Sequence, residues 1–289
     1  MELSRYKAST YLIISAILLS ILHKVDKEFY YYIELSGIII GMLLVGIPHG
    51  ALDHIVKNND IETRISTRFI SRYLANSFCF LILWILSPLV SLIIFISYSA
   101  FHFGQTDMEA WNSEKNSYLK SFIWGLSILL ILLTGHQNET NFVLSNMKVF
   151  VLPLDENNGK LVSYIVGLIS LGWALWERHL KMALSICALI ISTELPLMSA
   201  FGLYFIGQHS LNGWNHLKES LKVSHYELFK KSIPFTLAAS TLFLLLFYFA
   251  NVGYLTSFSN DWITIFFVFI ACISLPHVLV MKKYYSSSF

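Results

Sequence analysis

Charge is what this sequence has least of: 13% of its 289 residues are Asp, Glu, Lys or Arg, against 55% hydrophobic residues. Soluble domains carry roughly 25% charged residues, and no soluble core of this length needs so much apolar surface. Basic tracts are missing and the formal net charge is only +2, which excludes a nucleic-acid partner. Cysteine is scarce too. Cys79, Cys187 and Cys272 lie far apart inside apolar segments, which excludes a disulfide framework and a Cys-based zinc cluster and reads them as packing residues. With no Pro/Gly/Ser-rich linker, low-complexity tract or internal repeat, residues 1–289 read as a single integral membrane domain. Arg5 and Lys7 before an apolar run imitate a secretory signal. Ile21-Leu22-His23-Lys24 offers no small-residue cleavage pattern, so the run is read as a first transmembrane helix.

What the chain does have is apolar runs of spanning length, about 20 residues each. They predict an all-α, polytopic transmembrane bundle of about ten spans, near 9–23, 31–50, 69–86, 88–104, 118–135, 161–177, 180–198, 200–216, 233–253 and 262–281. The third-to-fourth connection is the tightest, and residues 136–160 read as a surface loop on the outer side. Lys and Arg are enriched in cytoplasmic loops. With both termini cytoplasmic, sixteen of the twenty Lys and Arg residues fall inside, leaving Lys24, Lys27, Lys148 and Lys160 outside. Removing one span would reverse every later loop and spoil that asymmetry. The expected location is the cell membrane, with the lipid bilayer as partner.

Ten histidines are present. His23, His136, His179 and His225 fall in or beside connections, where a solvated imidazole needs no explanation. The other six sit at the ends of even-numbered spans: His49 and His54 on the second, His102 on the fourth, His209 and His216 on the eighth, His277 on the tenth. Those spans all finish at the cytoplasmic face, so topology alone places the six in one layer near the inner boundary. Ionisable groups at membrane depth are costly and mark functional sites, and imidazole is the commonest metal ligand. Pro48 and the flanking glycines of Gly46-Ile47-Pro48-His49-Gly50 permit a helix break that turns a side chain inward. Gly37 with Gly41, and Gly46 with Gly50, have small-xxx-small spacing for close helix packing. Asp53 and Asp107 are placed to accept the second ring N–H of a metal-bound imidazole. Glu194, near the outer end of span seven, is a further intramembrane ionisable group or one that snorkels outward.

These segments carry a resemblance. Gly46-Ile47-Pro48-His49-Gly50-Ala51-Leu52-Asp53, Ser99-Ala100-Phe101-His102-Phe103-Gly104, Tyr204-Phe205-Ile206-Gly207-Gln208-His209-Ser210 and Leu275-Pro276-His277 resemble the Brp/Blh family of membrane beta-carotene 15,15'-dioxygenases over nearly the whole chain. The resemblance implies one Fe(2+) held by four histidines, with O2 splitting the central double bond of beta-carotene into two all-trans-retinal molecules. It also implies delivery of retinal to a rhodopsin-type protein. His49, His102 and His209 carry over as ligands. The family's fourth histidine falls where this chain has Gly213. His216, two helical turns after His209, is therefore expected to complete the metal-binding and catalytic set, with His277 and then His54 as substitutes. Phe101, Phe103, Tyr204 and Phe205 flank the expected ligands, where each either lines a tunnel or serves helix packing and lipid contact. A polyene is about as long as the ~30 Å hydrocarbon core is thick, so a site embedded in the bilayer solves its delivery.

Two other classes share the histidine layer. A membrane di-iron desaturase or hydroxylase groups histidines at the cytoplasmic side, and His49 with His54 has the spacing of one histidine box, but the adjacent His-His pair of that class is missing. A metal or carotenoid binding or transport protein would need polar residues spread across the bilayer rather than gathered in one layer.

Overall fold

The computed structural model describes residues 7–56, 66–111, 117–151, 153–253 and 261–286. They form a bundle of helices, with no strand among the described residues. In chain order these are α1 (Lys7–Val25), α2 (Lys27–Gly41), α3 (Thr67–Leu86), α4 (Pro88–Ala110), α5 (Tyr118–Gly135), α6 (Gln137–Asn146), α7 (Glu156–Trp176), α8 (Leu180–Ser192), α9 (Leu197–Tyr204), α10 (Leu211–Leu221), α11 (His225–Asn251) and α12 (Trp262–Ser286). α2 continues through a π-helical segment, Met42–Gly46, into short turns at Ile47–Gly50 and Asp53–Val56, and a second π-helical segment, Phe205–Ser210, joins α9 to α10. Side-chain oxygens at the ends start several helices by satisfying free amides. Asp26 accepts from the Phe29 amide at 2.9 Å and Asp155 from Asn158 at 2.7 Å. Ser224 and Glu227 bond each other's backbone in a capping box.

Among the described residues eight helices are long and apolar enough to cross a membrane, and all ten expected spans are helical. The two that fall short are α8, with 13 residues, and the α9–α10 run. They are consecutive, so counting both or neither keeps the total even. α3 and α4 are separated by Ser87 alone, as the sequence predicts. The stretch 136–160 differs from its expectation. It holds α6, whose Gln137, Thr140 and Val143 are buried, because Thr140 and Val143 share a face one turn apart. His136 is likewise buried, its ring nitrogens facing the carbonyls of Leu132 (2.6 Å) and Ser192 (3.1 Å).

The bundle is built around α12, 67% buried over its spanning window, whereas α11, at 11%, lies on the periphery. α4 and α5 approach most closely. A Cβ on Gly104 would sit 1.7 Å from the Ser121 carbonyl oxygen, and one on Gly125 would sit 1.8 Å from that of Ala100. Backbone against backbone leaves nothing to swing aside, so both positions require glycine. This contact fixes α4 two residues beyond His102. The glycines singled out from sequence are less uniform: Gly41 faces Ile206, Gly46 faces Met42 and Phe205, Gly50 faces His277, and Gly37 faces open space. Of the cysteines, all free, Cys272 is buried and Cys79 exposed.

Candidate metal centre

Four histidines from four different segments meet inside the bundle. His49 follows the first π-helical segment, His102 comes from α4, His209 lies within the second π-helical segment, and His277 comes from α12. Their rings form a closed cycle, edge to face throughout. Centroid separations are 5.4 Å for His49–His209, 4.9 Å for His209–His102, 4.9 Å for His102–His277 and 5.1 Å for His277–His49. All four residues are buried, with 1–6% of their surface exposed. π-Helical insertions re-aim side chains and recur at functional sites; here one precedes His49 and the other carries His209.

Two rings have a fixed tautomer. Nδ1 of His49 lies 2.5 Å from the Gly46 carbonyl oxygen, and Nδ1 of His277 lies 2.7 Å from Asp53 Oδ1. Carbonyl and carboxylate oxygens only accept, so each Nδ1 carries the hydrogen and each Nε2 keeps its lone pair. Those two Nε2 atoms, both nitrogens of His102 and Nδ1 of His209 are buried without a hydrogen-bond partner. An unpaired buried polar atom costs ~1–3 kcal/mol, and since a neutral imidazole has one lone-pair nitrogen, these five atoms amount to one open donor from each of the four rings. Among the described residues no group of three or more His, Cys, Asp or Glu side chains stands in finished metal-holding geometry. The histidines are arranged as an open box of packed rings.

The support around the box is specific. Pro276 supplies no N–H to the Cys272 carbonyl and loosens α12 at that turn. Tyr98 and Tyr73 donate their hydroxyls to the carbonyls on either side, Ala271 at 2.6 Å and Ile273 at 3.1 Å, holding α12 just before His277. Asp107 is fully buried. Its carboxylate accepts from Gln208 Nε2 (2.7 Å), Trp124 Nε1 (3.1 Å), Asn212 Nδ2 (3.1 Å) and the Tyr204 hydroxyl (3.4 Å). Three of those donors bracket His209 along its own helix, so Asp107 holds that helix rather than a ring nitrogen. The acceptor role expected of both aspartates is filled by Asp53 alone.

His49, His102 and His209 thus come together as the sequence predicts, and His216 does not join them. It stands beyond the box with its ring 5.8 Å from Tyr284. The helix is regular from Leu211 to Leu221, and seven residues at 1.5 Å each carry residue 216 ~10 Å further along it than His209, past the level of the box. The fourth ring is His277, the first of the two substitutes. His54, the second, packs its ring 4.6 Å from Phe235. Gly213 faces the box, a Cβ there lying 3.6 Å from His49 Cδ2.

One wall of an apolar cavity of about 780 Å³ is formed by the four histidines. Phe103 and Phe205 line it. Phe101 instead packs on Tyr118 at 5.8 Å, and Tyr204 is turned to Asp107. Thr140 and Val143 of α6 reach the cavity as well, a contribution hidden by the polar composition of that helix. Glu194 lies apart from all this, paired with Lys24 at 2.9 Å at the opposite end of the bundle from the histidines.

A family model described as Beta-carotene 15,15'-dioxygenase matches residues 40–285, a stretch that contains all four histidines. No curated protein and no solved structure matches the chain.

Proposed function

We propose, from the premise that this chain belongs to the beta-carotene 15,15'-dioxygenase family, that it is a non-haem iron oxygenase. It would cleave beta-carotene at the central 15,15' double bond with O2 to give two all-trans-retinal molecules. The observation that carries this reading is the ring of four buried histidines, with five unpartnered nitrogens, on the wall of an apolar cavity. The donor set fits iron: imidazole suits first-row metals of this kind, and four neutral rings leave positions open for a small gas molecule beside a substrate with no ligating atom. His49, His102, His209 and His277 would hold the metal. When bound, iron supplies the activation of dioxygen.

The residues of the chain do the rest. Gly46 and Asp53 fix the tautomers that aim Nε2 of His49 and His277 into the box. Asp107 and its donors fix the helix around His209. Phe103 and Phe205 pack against the His209 ring at 4.7 and 5.6 Å, keeping water from the face that would meet a polyene. A carboxylate acid or base is not called on, because all four side chains facing the box centre are imidazoles. The same layer serves one metal rather than two, which disfavours a di-iron desaturase. We further propose an orientation with both termini cytoplasmic in the cell membrane, from the sixteen-to-four Lys/Arg asymmetry, and release of retinal to a rhodopsin-type acceptor.

Expression in a carotene-accumulating bacterial host, with extracts resolved by chromatography, tests the reaction. The expected result is retinal in place of carotene, and one iron per chain in the purified protein. Carotene left intact by an iron-loaded protein in air would overturn the reading.

A further inference from the structure

A metal ion has to reach the buried histidine box, and the cavity beside it is a poor road for one. Along α4 that cavity is lined chiefly by Leu89, Leu92, Phe95, Ile96 and Phe103, so a hydrated cation would shed water there with nothing to replace it. Past His102 the character of α4 changes. The cavity lining on this helix stops at Phe103, while the helix runs on to Ala110. At 1.5 Å and 3.6 residues per turn, Gln105, Thr106 and Glu109 lie about 4.5, 6 and 10 Å beyond His102 and within about 60° of its direction. They continue the face of His102 as a polar stripe toward the end of the helix. Asp107, about 140° away, belongs to the other side, where Trp124 and Gln208 hold it. Gln105 and Thr106 are only 5% and 2% exposed, yet Gln105 Oε1 and Thr106 Oγ1 have no hydrogen-bond partner. Buried polar atoms are otherwise satisfied almost without exception, so two unpartnered oxygens on the face of a ligand point to a polar visitor. Glu109, half-buried, adds a carboxylate in the last turn.

We propose that this stripe is the loading path of the metal centre. A hydrated divalent cation is collected by Glu109, passes the Thr106 hydroxyl and the Gln105 amide oxygen, and is delivered to His102, whose two ring nitrogens are both without partners. Oxygen donors suit a cation that still carries part of its water, and imidazole suits the same ion once it is stripped. Ion and polyene then reach the box from different sides, one along the polar stripe and the other through the apolar cavity. This rests on reading the box as a metal centre and adds how that centre is filled.

Metal-free protein in detergent, mixed with Co2+ and followed by the visible absorption of the bound ion, reads loading directly and without turnover. In a Gln105→Leu, Thr106→Val double variant, uptake is expected to be at least about tenfold slower, the effect on a rate of hydrogen bonds lost along the way. Equilibrium affinity, set by the four imidazoles, is expected to stay that of the parent. Uptake at the parental rate would overturn the path and leave the two oxygens as sites of structural water. Slower uptake matched by an equal loss of affinity would also overturn it, since the two residues would then act on the box itself. The unaltered chain gives a second measurement that does not depend on the variant folding. As even-numbered spans, α4 and α12 leave the box on the same side, so vesicles selected on an outward C-terminal tag present the mouth of the stripe to added Co2+. These vesicles are expected to load, and those with the tag inside are not. Equal loading of both, or loading of the second kind alone, would sink the path and leave the metal centre standing. Co2+ retained by neither the vesicles nor the solubilised protein would remove the metal centre and the path together.

Discussion

Five residues along α4 separate His102, whose two ring nitrogens are buried without partners, from Asp107, whose carboxylate is buried and accepts from four side chains. Both lie in the interior of the same bundle, and both are costly there. Asp107 is stabilised entirely by the fold, through donors none of which is charged. The histidine box is left incomplete by the fold, with the tautomers of His49 and His277 set and five ring nitrogens without partners. A saturated polar cluster holds helices in place; an unsaturated one with fixed geometry is built for a ligand. The difference predicts how each cluster responds when it is cut.

The largest effects belong to the unsaturated side. Alanine at His49, His102, His209 or His277 is expected to remove iron and retinal formation together, by more than about a hundredfold, with the protein still in the membrane. His216→Ala is expected to keep both iron and turnover within a few-fold of the parent. Metal analysis of the purified variants checks this. Iron retained in His277→Ala but lost from His216→Ala would return the fourth ligand to α10 and break the contrast drawn here.

Asp53→Asn comes next. An amide oxygen still accepts from His277 Nδ1 but without charge, so the ring stays oriented while its basicity falls. The expected cost is about 10–100-fold in iron affinity, read by competition with a chelator, with little change in thermal stability.

At Asp107 the pattern inverts. Asp107→Asn keeps one acceptor oxygen and turns the other into a donor, facing donors that then have no partner. The expected loss is ~1–3 kcal/mol of stability, visible as a lower melting temperature in detergent, with iron still bound at one per chain. An Asp107→Asn protein as stable as the parent but depleted of iron would place Asp107 among the groups that act through the metal.

This contrast also shows what could be read before the fold was known. Helical spans follow from apolar runs and the bilayer's thickness, and the shared depth of the histidines follows from helix parity, so the layer and three of its four members were legible. The fourth was not, because two turns return His216 to the face of His209 but ~10 Å further along the helix, whereas His277 reaches the box from α12, a meeting that only packing fixes. Hydrogen-bonding roles were half legible. Asp53 and Asp107 were both visible as second partners for a ligand, but only packing distinguishes one that meets a ring from one captured by Trp124, Gln208, Asn212 and Tyr204. The α4–α5 contact through Gly104 and Gly125 has no spacing signature, since its two glycines come from different helices. α6 was missed because a short polar helix resembles a loop until its neighbours cover it.

The smallest expected effect lies at the opposite end of the bundle, where Glu194 pairs with Lys24. Their side chains are 41% and 64% exposed, so the pair competes with water and salt and contributes at most ~1 kcal/mol. The hydrogen bond from Lys24 is the main cause holding the Glu194 carboxyl below its ordinary range, against a smaller opposing effect of burial. A folded-state pKa depressed in this way gives stability that is full above the unfolded-state value and is lost as pH falls through the folded one. Lys24→Met should therefore flatten the acid limb of the stability curve slightly and leave it unchanged at neutral pH and high salt beyond that small loss. Melting curves of parent and variant in detergent, taken from neutral to acid pH at low and high ionic strength, measure this. A variant that lost iron as well would show that this end of the bundle is coupled to the histidines, which the exposure of the pair argues against.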